Sequence, residues 1–319
     1  MIGYTLRRLG YGFVVMVLVT VFVFVIMRLV PGDAVALQLQ DTGVTAEEAA
    51  ALRAEFGIDD PVWVQLGSWL ANAVQGDLGT SFYSGEPVAE LFLSRVPITV
   101  QLGLIAMVLG ALLGVGFGIL AAVTRGTWVD SAVRVFAVAF LSVPNFVVGL
   151  LLLTLLALWF AWSPPIVYAG PGEDLVSWIQ QIAIPVIALG TGGMAGIARM
   201  TRSSMLESLG SDYIRTVHAK GARHRTVIFK HALRNSTIAV LTLLGLELAT
   251  ILGGTVILEQ MFSIPGTGQL IYQAVLDRDY PVVVACTIFY AGLFVVTIIV
   301  IDLLYALIDP RIRTGRALS

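Results

Sequence analysis

The chain has 319 residues, of which 57% are hydrophobic and 13% charged, with a formal net charge of −2. Roughly a quarter of an ordinary soluble domain is charged, so a water-soluble globule is excluded, and nothing in this balance suggests a nucleic-acid partner. The single cysteine, Cys286, lies in an apolar run, which excludes an intramolecular disulfide and a cysteine-based metal cage.

Leu9 to Val30 is the first apolar run, preceded by Arg7 and Arg8. It exceeds the about 7 to 15 residues of a signal-peptide core, and Pro31-Gly32-Asp33 after it offers no small-x-small cleavage pattern, so a retained helix is expected. Crossing hydrocarbon takes about 20 apolar residues in a helix. Six stretches fit: 9–30, 98–124, 131–160, 182–204, 236–260 and 282–308. They are continuously apolar, without the alternation a barrel needs, so the expected fold class is an all-α polytopic membrane protein with six transmembrane helices. The whole chain, 1–319, is read as a single transmembrane domain.

Short cytoplasmic loops retain Lys and Arg. With the N-terminus inside, 15 of the 19 basic residues fall on the inner side, among them Arg125, Arg134, Arg199, Arg202, Arg311, Arg313 and Arg316. Both termini are therefore expected on the cytoplasmic side of a membrane that the chain crosses several times. Arg28, Arg53, Arg95 and Arg278 remain outside, Arg28 being placed to snorkel to the headgroups.

The long external loop, 31–97, is acidic. Thr45 followed by Glu48 has the form of a capping box, and the Ala-rich segment after it stops at Gly57, which predicts a short helix. In the second span Gly110, Gly114 and Gly118 form a small-residue face suited to close helix packing. Pro144-Asn145 interrupts the third span, as a kink or as a gating hinge, and Pro185 opens the fourth. Gly190-Thr191-Gly192-Gly193-Met194-Ala195 imitates a dinucleotide fingerprint but has no strand-turn-helix context, so these glycines are read as helix contacts. Glu247, deep in the fifth span, either lines a pathway or is paired within the helices.

The inner loop 205–235 is long for a connection and carries six Lys or Arg against two acids. Asp212 to Gly221 reads as a short helix ending at a glycine cap, and Thr226 to Leu233 as another. Tyr213, Ile214, Val217, Val227, Ile228 and Leu233 are placed to give them an apolar face. His218, His224 and His231 have no zinc spacing, so no metal site is expected. The two lysines, Lys220 and Lys230, sit in no P-loop. No paired carboxylates or nucleophile-base arrangement stands out either, so the chain is not expected to be an enzyme.

The segments Ala198 to Glu207, Asp212-Tyr213-Ile214-Arg215-Thr216 with Ala219-Lys220-Gly221, and His231-Ala232-Leu233-Arg234-Asn235 resemble the permease subunits of type I ABC importers, in the dipeptide/oligopeptide/nickel group. So do Arg7-Arg8, Pro31-Gly32-Asp33, Gly76-Asp77-Leu78-Gly79 with Ser81, Glu259, Phe262-Ser263-Ile264-Pro265-Gly266 with Gly268, and Arg278-Asp279-Tyr280-Pro281. The resemblance runs nearly end to end. It implies that the inner loop is the family's Glu-Ala-Ala loop, here Arg215-Thr216-Val217 at the name-giving positions, whose short helix docks on an ATPase. The literal Glu48-Ala49-Ala50 lies on the other side and lacks the spaced glycine.

The resemblance further implies half of a translocation pathway for di- or oligopeptides, with nickel chelates, glutathione or oligosaccharides as alternatives. A second permease making a heterodimer, two cytoplasmic ATPases that bind ATP and Mg, and an external substrate-binding protein would be the partners, with membrane lipid around them. The coupling residues would be Asp212, Tyr213, Arg215, Thr216, Ala219, Lys220, Gly221, His231, Arg234 and Asn235, and Glu247, Pro144 and Asn145 are candidates for the pathway or its gate. A stand-alone channel or secondary transporter would need repeated intramembrane charges or an internal repeat, and neither is evident.

Overall fold

The computed structural model describes residues 2–29, 46–55 and 57–308. Thr45 of the capping box, Pro31-Gly32-Asp33 and the C-terminal arginines lie outside the described residues. The helices are α1 Ile2–Leu29, α2 Ala46–Glu55, α3 Val62–Val74, α4 Val88–Val123, α5 Trp128–Ser142, α6 Asn145–Phe160, α7 Leu175–Leu209, α8 Asp212–Ala219, α9 His224–Met261, α10 Thr267–Leu276 and α11 Tyr280–Ile308. Among the described residues the only β feature is an isolated bridge between Thr80 and Pro87. Among the described residues five helices are long and apolar enough to cross a membrane, and the count reaches six when α5 and α6, bent by 102° at their junction, are taken together as one broken span.

The helices overrun the apolar stretches that announce them. At 38 residues, α9 is about 57 Å long, against about 30 Å of hydrocarbon. Thr226 to Leu233 is accordingly no separate helix but the first turns of α9, with a π-helical segment at Val227–Ala232. No glycine or proline interrupts the chain between His224 and Leu244, so nothing stops the helix where the apolar run ends. The inner connection shrinks to Gly210–Arg223 around α8, and the external loop holds α3 besides the expected α2.

The chain divides into two compact units, Met1–Thr99 with Ile264–Val296, and Val100–Ser263 with Thr297–Ser319. In the first, Val88, Leu270, Ala274, Val282, Val283 and Cys286 form a buried cluster against which Val23, Leu78 and Phe92 pack. Arg28 does not merely snorkel: its guanidinium lies 4.5 Å from the Tyr280 ring centre and 5.4 Å from that of Phe24. Two motifs far apart in sequence meet here. Gly76 (φ +87°) and Gly79 (φ +84°) turn the chain so that Ser81 Oγ donates to Asp279 Oδ2 at 2.5 Å and the Phe82 amide donates to Asp279 Oδ1 at 3.2 Å. Asp279 itself follows Arg278, a non-glycine at φ +55° that closes α10.

Burial pushes the Asp279 carboxyl above its ordinary value of 3.8, against the hydrogen bonds from Ser81 and Phe82, which pull it down. A carboxyl whose pKa is higher folded than unfolded stabilises the fold while protonated. That contribution is full below the unfolded value and is lost as pH rises through the folded one. The melting midpoint of the detergent-solubilised protein should thus fall as pH is raised from the ordinary aspartate value of 3.8 through the folded value, and Asp279→Asn should flatten this decline. Parallel pH profiles for the two proteins would refute it.

In the second unit α7 is the central element, buried from Gln181 to Met205 on most of its positions and contacted by α5, α6 and α9. Asp174 caps it, accepting from the amides of Val176 and Ser177 at 3.0 and 3.1 Å. The α4 glycine face packs on this helix as expected. A Cβ on Gly110 would meet the Gly190 carbonyl oxygen at 2.6 Å, one on Gly114 the Ile197 side chain at 2.7 Å, and one on Gly118 the Thr201 side chain at 2.5 Å. Backbones this close leave no room for a methyl group at any of the three.

Candidate functional site

Two places in the second unit gather the residues singled out by the sequence. The first is the short helix α8. Its one buried side chain is Ile214, and α8 packs against the π-helical start of α9, where Val227, Ile228 and Ala232 are buried. Ile228 and Ala232 continue into a cluster with Ala122 and Met205, against which Leu206, Leu209 and Leu233 pack. The opposite face is polar and exposed: Asp212, Arg215, Thr216, His218, Ala219, Lys220 and Gly221 all face outward. Asp212, in the first turn where a negative charge suits the helix dipole, pairs with Arg215 at 3.2 Å.

Two contacts fix this helix in place. The Tyr213 hydroxyl lies 2.7 Å from His231 Nδ1, joining α8 to α9 across 18 residues. Its C-terminus is closed by a full Schellman pattern. The Gly221 amide donates to the His218 carbonyl at 2.9 Å and the Ala222 amide to that of Val217 at 3.3 Å, with Gly221 at φ +78°. Arg234 and Asn235 are exposed on α9 beyond the π-helical segment, and among the described residues no hydrogen bond or ion pair joins them to α8. His218 and His224 stack with ring centres 6.4 Å apart, and among the described residues no cluster of three His, Cys, Asp or Glu is placed to hold a metal.

The second place is the break in the third span. The residue before a proline is pushed to extended backbone, and Val143 is at φ −105°, ψ 124°, ending α5, while Pro144 opens α6. The elbow borders a cavity of about 380 Å³ lined by Leu141, Pro144, Asn145, Gly193, Glu247 and Thr250, among others. All three pathway candidates thus meet at one cavity. The α7 glycines make the room: a Cβ on Gly193 would sit 3.2 Å from Glu247 Oε2, one on Gly196 2.9 Å from Oε1, and one on Gly192 would collide with the Asn145 amide. Among the described residues Glu247 makes no hydrogen bond and no ion pair, so the pairing alternative is not what is seen.

One polar cluster escaped the sequence reading. Asp130, 1% exposed, accepts from Arg202 Nε and Nη2 at 2.7 and 2.8 Å, from the Gly126 amide at 3.1 Å, and has Arg134 at 3.4 Å. Arg202 counts in the sequence as an inner-side charge and as part of the Ala198 to Glu207 segment, with no partner assigned to it. The signal was its company: an arginine beside apolar α7 residues needs an acid, and Asp130 lies 72 positions away.

A six-span helical protein with a polar helix at one end of its central pair and an open cavity at a broken span has the build of a membrane component of a transport system. The chain belongs to the family of binding-protein-dependent transport system inner membrane components, which residues 114–314 match, while residues 1–103 match the N-terminal module of the same systems. It is therefore a multi-pass inner-membrane permease component. It is 37% identical to the oligopeptide transport system permease protein AppB of Bacillus subtilis over 98% of this chain and 100% of that one. Identity to the dipeptide transport system permease protein DppB of Escherichia coli is also 37%, over 98% and 99% of the two chains. An inward-facing crystal form of the MetNI methionine ABC transporter shares the fold, with a TM-score of 0.56, 20% identity, and coverage of 69% of this chain and 96% of that one.

Proposed function

We propose that this chain is one of two permeases of an ATP-binding-cassette importer for di- and oligopeptides, paired with a second, different permease. Two cytoplasmic ATPases holding ATP and Mg drive it, and an external binding protein delivers substrate. The observation that carries the reading is the end-to-end likeness to AppB and DppB, named as oligopeptide and dipeptide permeases. The chain's two lysines lie in no P-loop, which fits ATP hydrolysis in another subunit.

In this reading α8 receives motion from an ATPase through its exposed face, Asp212, Arg215, Thr216, Ala219, Lys220 and Gly221, and Arg234 and Asn235 extend that face. Displacement reaches the cavity by two direct routes. His231, held by Tyr213, and Glu247 share α9, where 16 positions correspond to about 24 Å along the helix. Gly192 and Gly193 of the cavity share α7 with Leu209, the residue that ends it just before α8. The π-helical segment at the base of α9 is the compliant point, as such segments often are at functional sites. Pro144 and Asn145 form the elbow that opens or narrows the cavity as the helices tilt.

The experiment is to tag the chain in its native membrane, extract it gently and identify what co-purifies by mass spectrometry, then assay peptide uptake by the recovered complex in liposomes. A second permease, one or two P-loop ATPases and ATP-dependent peptide uptake are expected. Recovery of the chain alone, transporting without ATP, would overturn the reading in favour of a self-sufficient carrier.

A further inference from the structure

We propose that the cavity at the broken third span is a binding site for the protonated amino group of a peptide, with Glu247 as its counter-charge. This rests on the peptide-importer reading above. The cavity, at about 380 Å³, falls in the range of small-ligand sites, roughly 300–1,000 Å³, and admits the end of a peptide but not a folded chain.

Its polar groups are chiefly acceptors. Glu247 presents a carboxylate with no hydrogen bond or ion pair among the described residues, against glycines whose missing side chains leave it open to the cavity. The last four carbonyls of a helix have no partner within it. At the end of α5 those are Ala139 to Ser142, of which Phe140, Leu141 and Ser142 line the cavity. A helix C-terminus carries partial negative charge, so the α5 end adds to Glu247. The start of α6 offsets part of this through the Asn145 and Phe146 amides, while Pro144 has no N–H and the amides of Val147 and Val148 are engaged with the Pro144 carbonyl at 2.9 and 3.2 Å. Asn145 adds an amide able to accept or donate.

That donor set selects among cations. A divalent metal of the calcium or magnesium type takes about six or more oxygen ligands, several of them carboxylates. Here there is one carboxylate, and among the described residues no cluster of three potential ligands. A primary ammonium needs three acceptors and a single counter-charge, which Glu247, the α5 carbonyl end and Asn145 can supply. An intramembrane carboxylate without a partner is costly, and an entering ammonium removes that cost only while it stays. The substrate is thereby held in passage and released when the elbow moves.

The test uses the whole complex in proteoliposomes with its binding protein, measuring uptake of a labelled dipeptide with a free amino terminus and ATP hydrolysis together. Glu247→Gln keeps the size of the side chain and removes the charge. It should cut the peptides imported per ATP hydrolysed about tenfold, and Glu247→Asp, which keeps the charge, should recover most of the loss. Import per ATP within twofold of wild type for Glu247→Gln, or an equal loss for Glu247→Asp, would overturn the site while leaving the importer reading intact. If the wild-type complex imports no amine-bearing peptide, the peptide reading fails and this inference fails with it.

Discussion

Replacing Asp130 by alanine is expected to lower the stability of the second unit by about 3 kcal/mol, as removing one partner of a buried ion pair does. Asp130 is 1% exposed and is approached from three sides: the Arg202 guanidinium in a two-pronged contact at 2.7 and 2.8 Å, the Gly126 amide, and Arg134. Alanine leaves the Arg202 fork and the Gly126 amide without this acceptor, whereas Arg134, whose side chain is more than half exposed, keeps Ser131 Oγ and water. The bidentate geometry also fixes orientation, since two parallel N–H bonds hold α5 and α7 at one rotation. Asp130→Asn should cost less than alanine, because one acceptor oxygen remains for Arg202. Arg202→Lys should not rescue the contact, a single ammonium being unable to reproduce the fork. The check is a melting curve of the detergent-solubilised chain read by intrinsic fluorescence. A midpoint for Asp130→Ala unchanged from wild type would show that the pair carries no stability.

Much of this architecture was legible because it rests on local chemistry. The six apolar stretches, the break at Pro144, the glycine face of Gly110, Gly114 and Gly118, and the turn at Gly221 each follow from residues within one or two helical turns. The helix ends were not, because apolar windows report hydrocarbon thickness and α7 and α9 continue past it on charged residues. Long-range polar pairing was hidden altogether. Ser81 with Asp279, separated by 198 positions, and Asp130 with Arg202 are set by how helices fold back, which no spacing rule encodes. The candidate sites fall between these cases. Glu247, Pro144 and Asn145 stood out singly as polar or helix-breaking residues in apolar runs, and only the fold brings them to one cavity. Tyr213 and His231 were singled out separately, and only the fold of α8 back onto the start of α9 brings them into contact.

Gly221→Val is expected to reduce ATP-driven uptake by about tenfold in the assembled transporter. Gly221 is at φ +78°, a conformation that costs an ordinary L-residue about 1–2 kcal/mol and a β-branched one more. A Cβ there has nothing within 4 Å, so the substitution meets no neighbour and acts on the backbone alone. To escape the strain the chain must leave the left-handed region, and both closing hydrogen bonds, Gly221 to His218 and Ala222 to Val217, are then lost. The last turn of an eight-residue helix frays, and with it Thr216, Ala219 and Lys220, the exposed positions proposed to meet the ATPase. A shift of about 1.4 kcal/mol against the closed turn is a tenfold fall in the equilibrium constant for forming it, which sets the scale of the effect. Gly221→Asn is the informative companion, because asparagine tolerates this conformation while adding a side chain of its own. If backbone geometry is what matters, asparagine keeps most of the uptake where valine does not. Full uptake and normal stimulation of ATP hydrolysis in the valine protein would remove α8 from the coupling route. Equal failure of both proteins would place the requirement in the bare surface of Gly221, as a site of close approach by the partner.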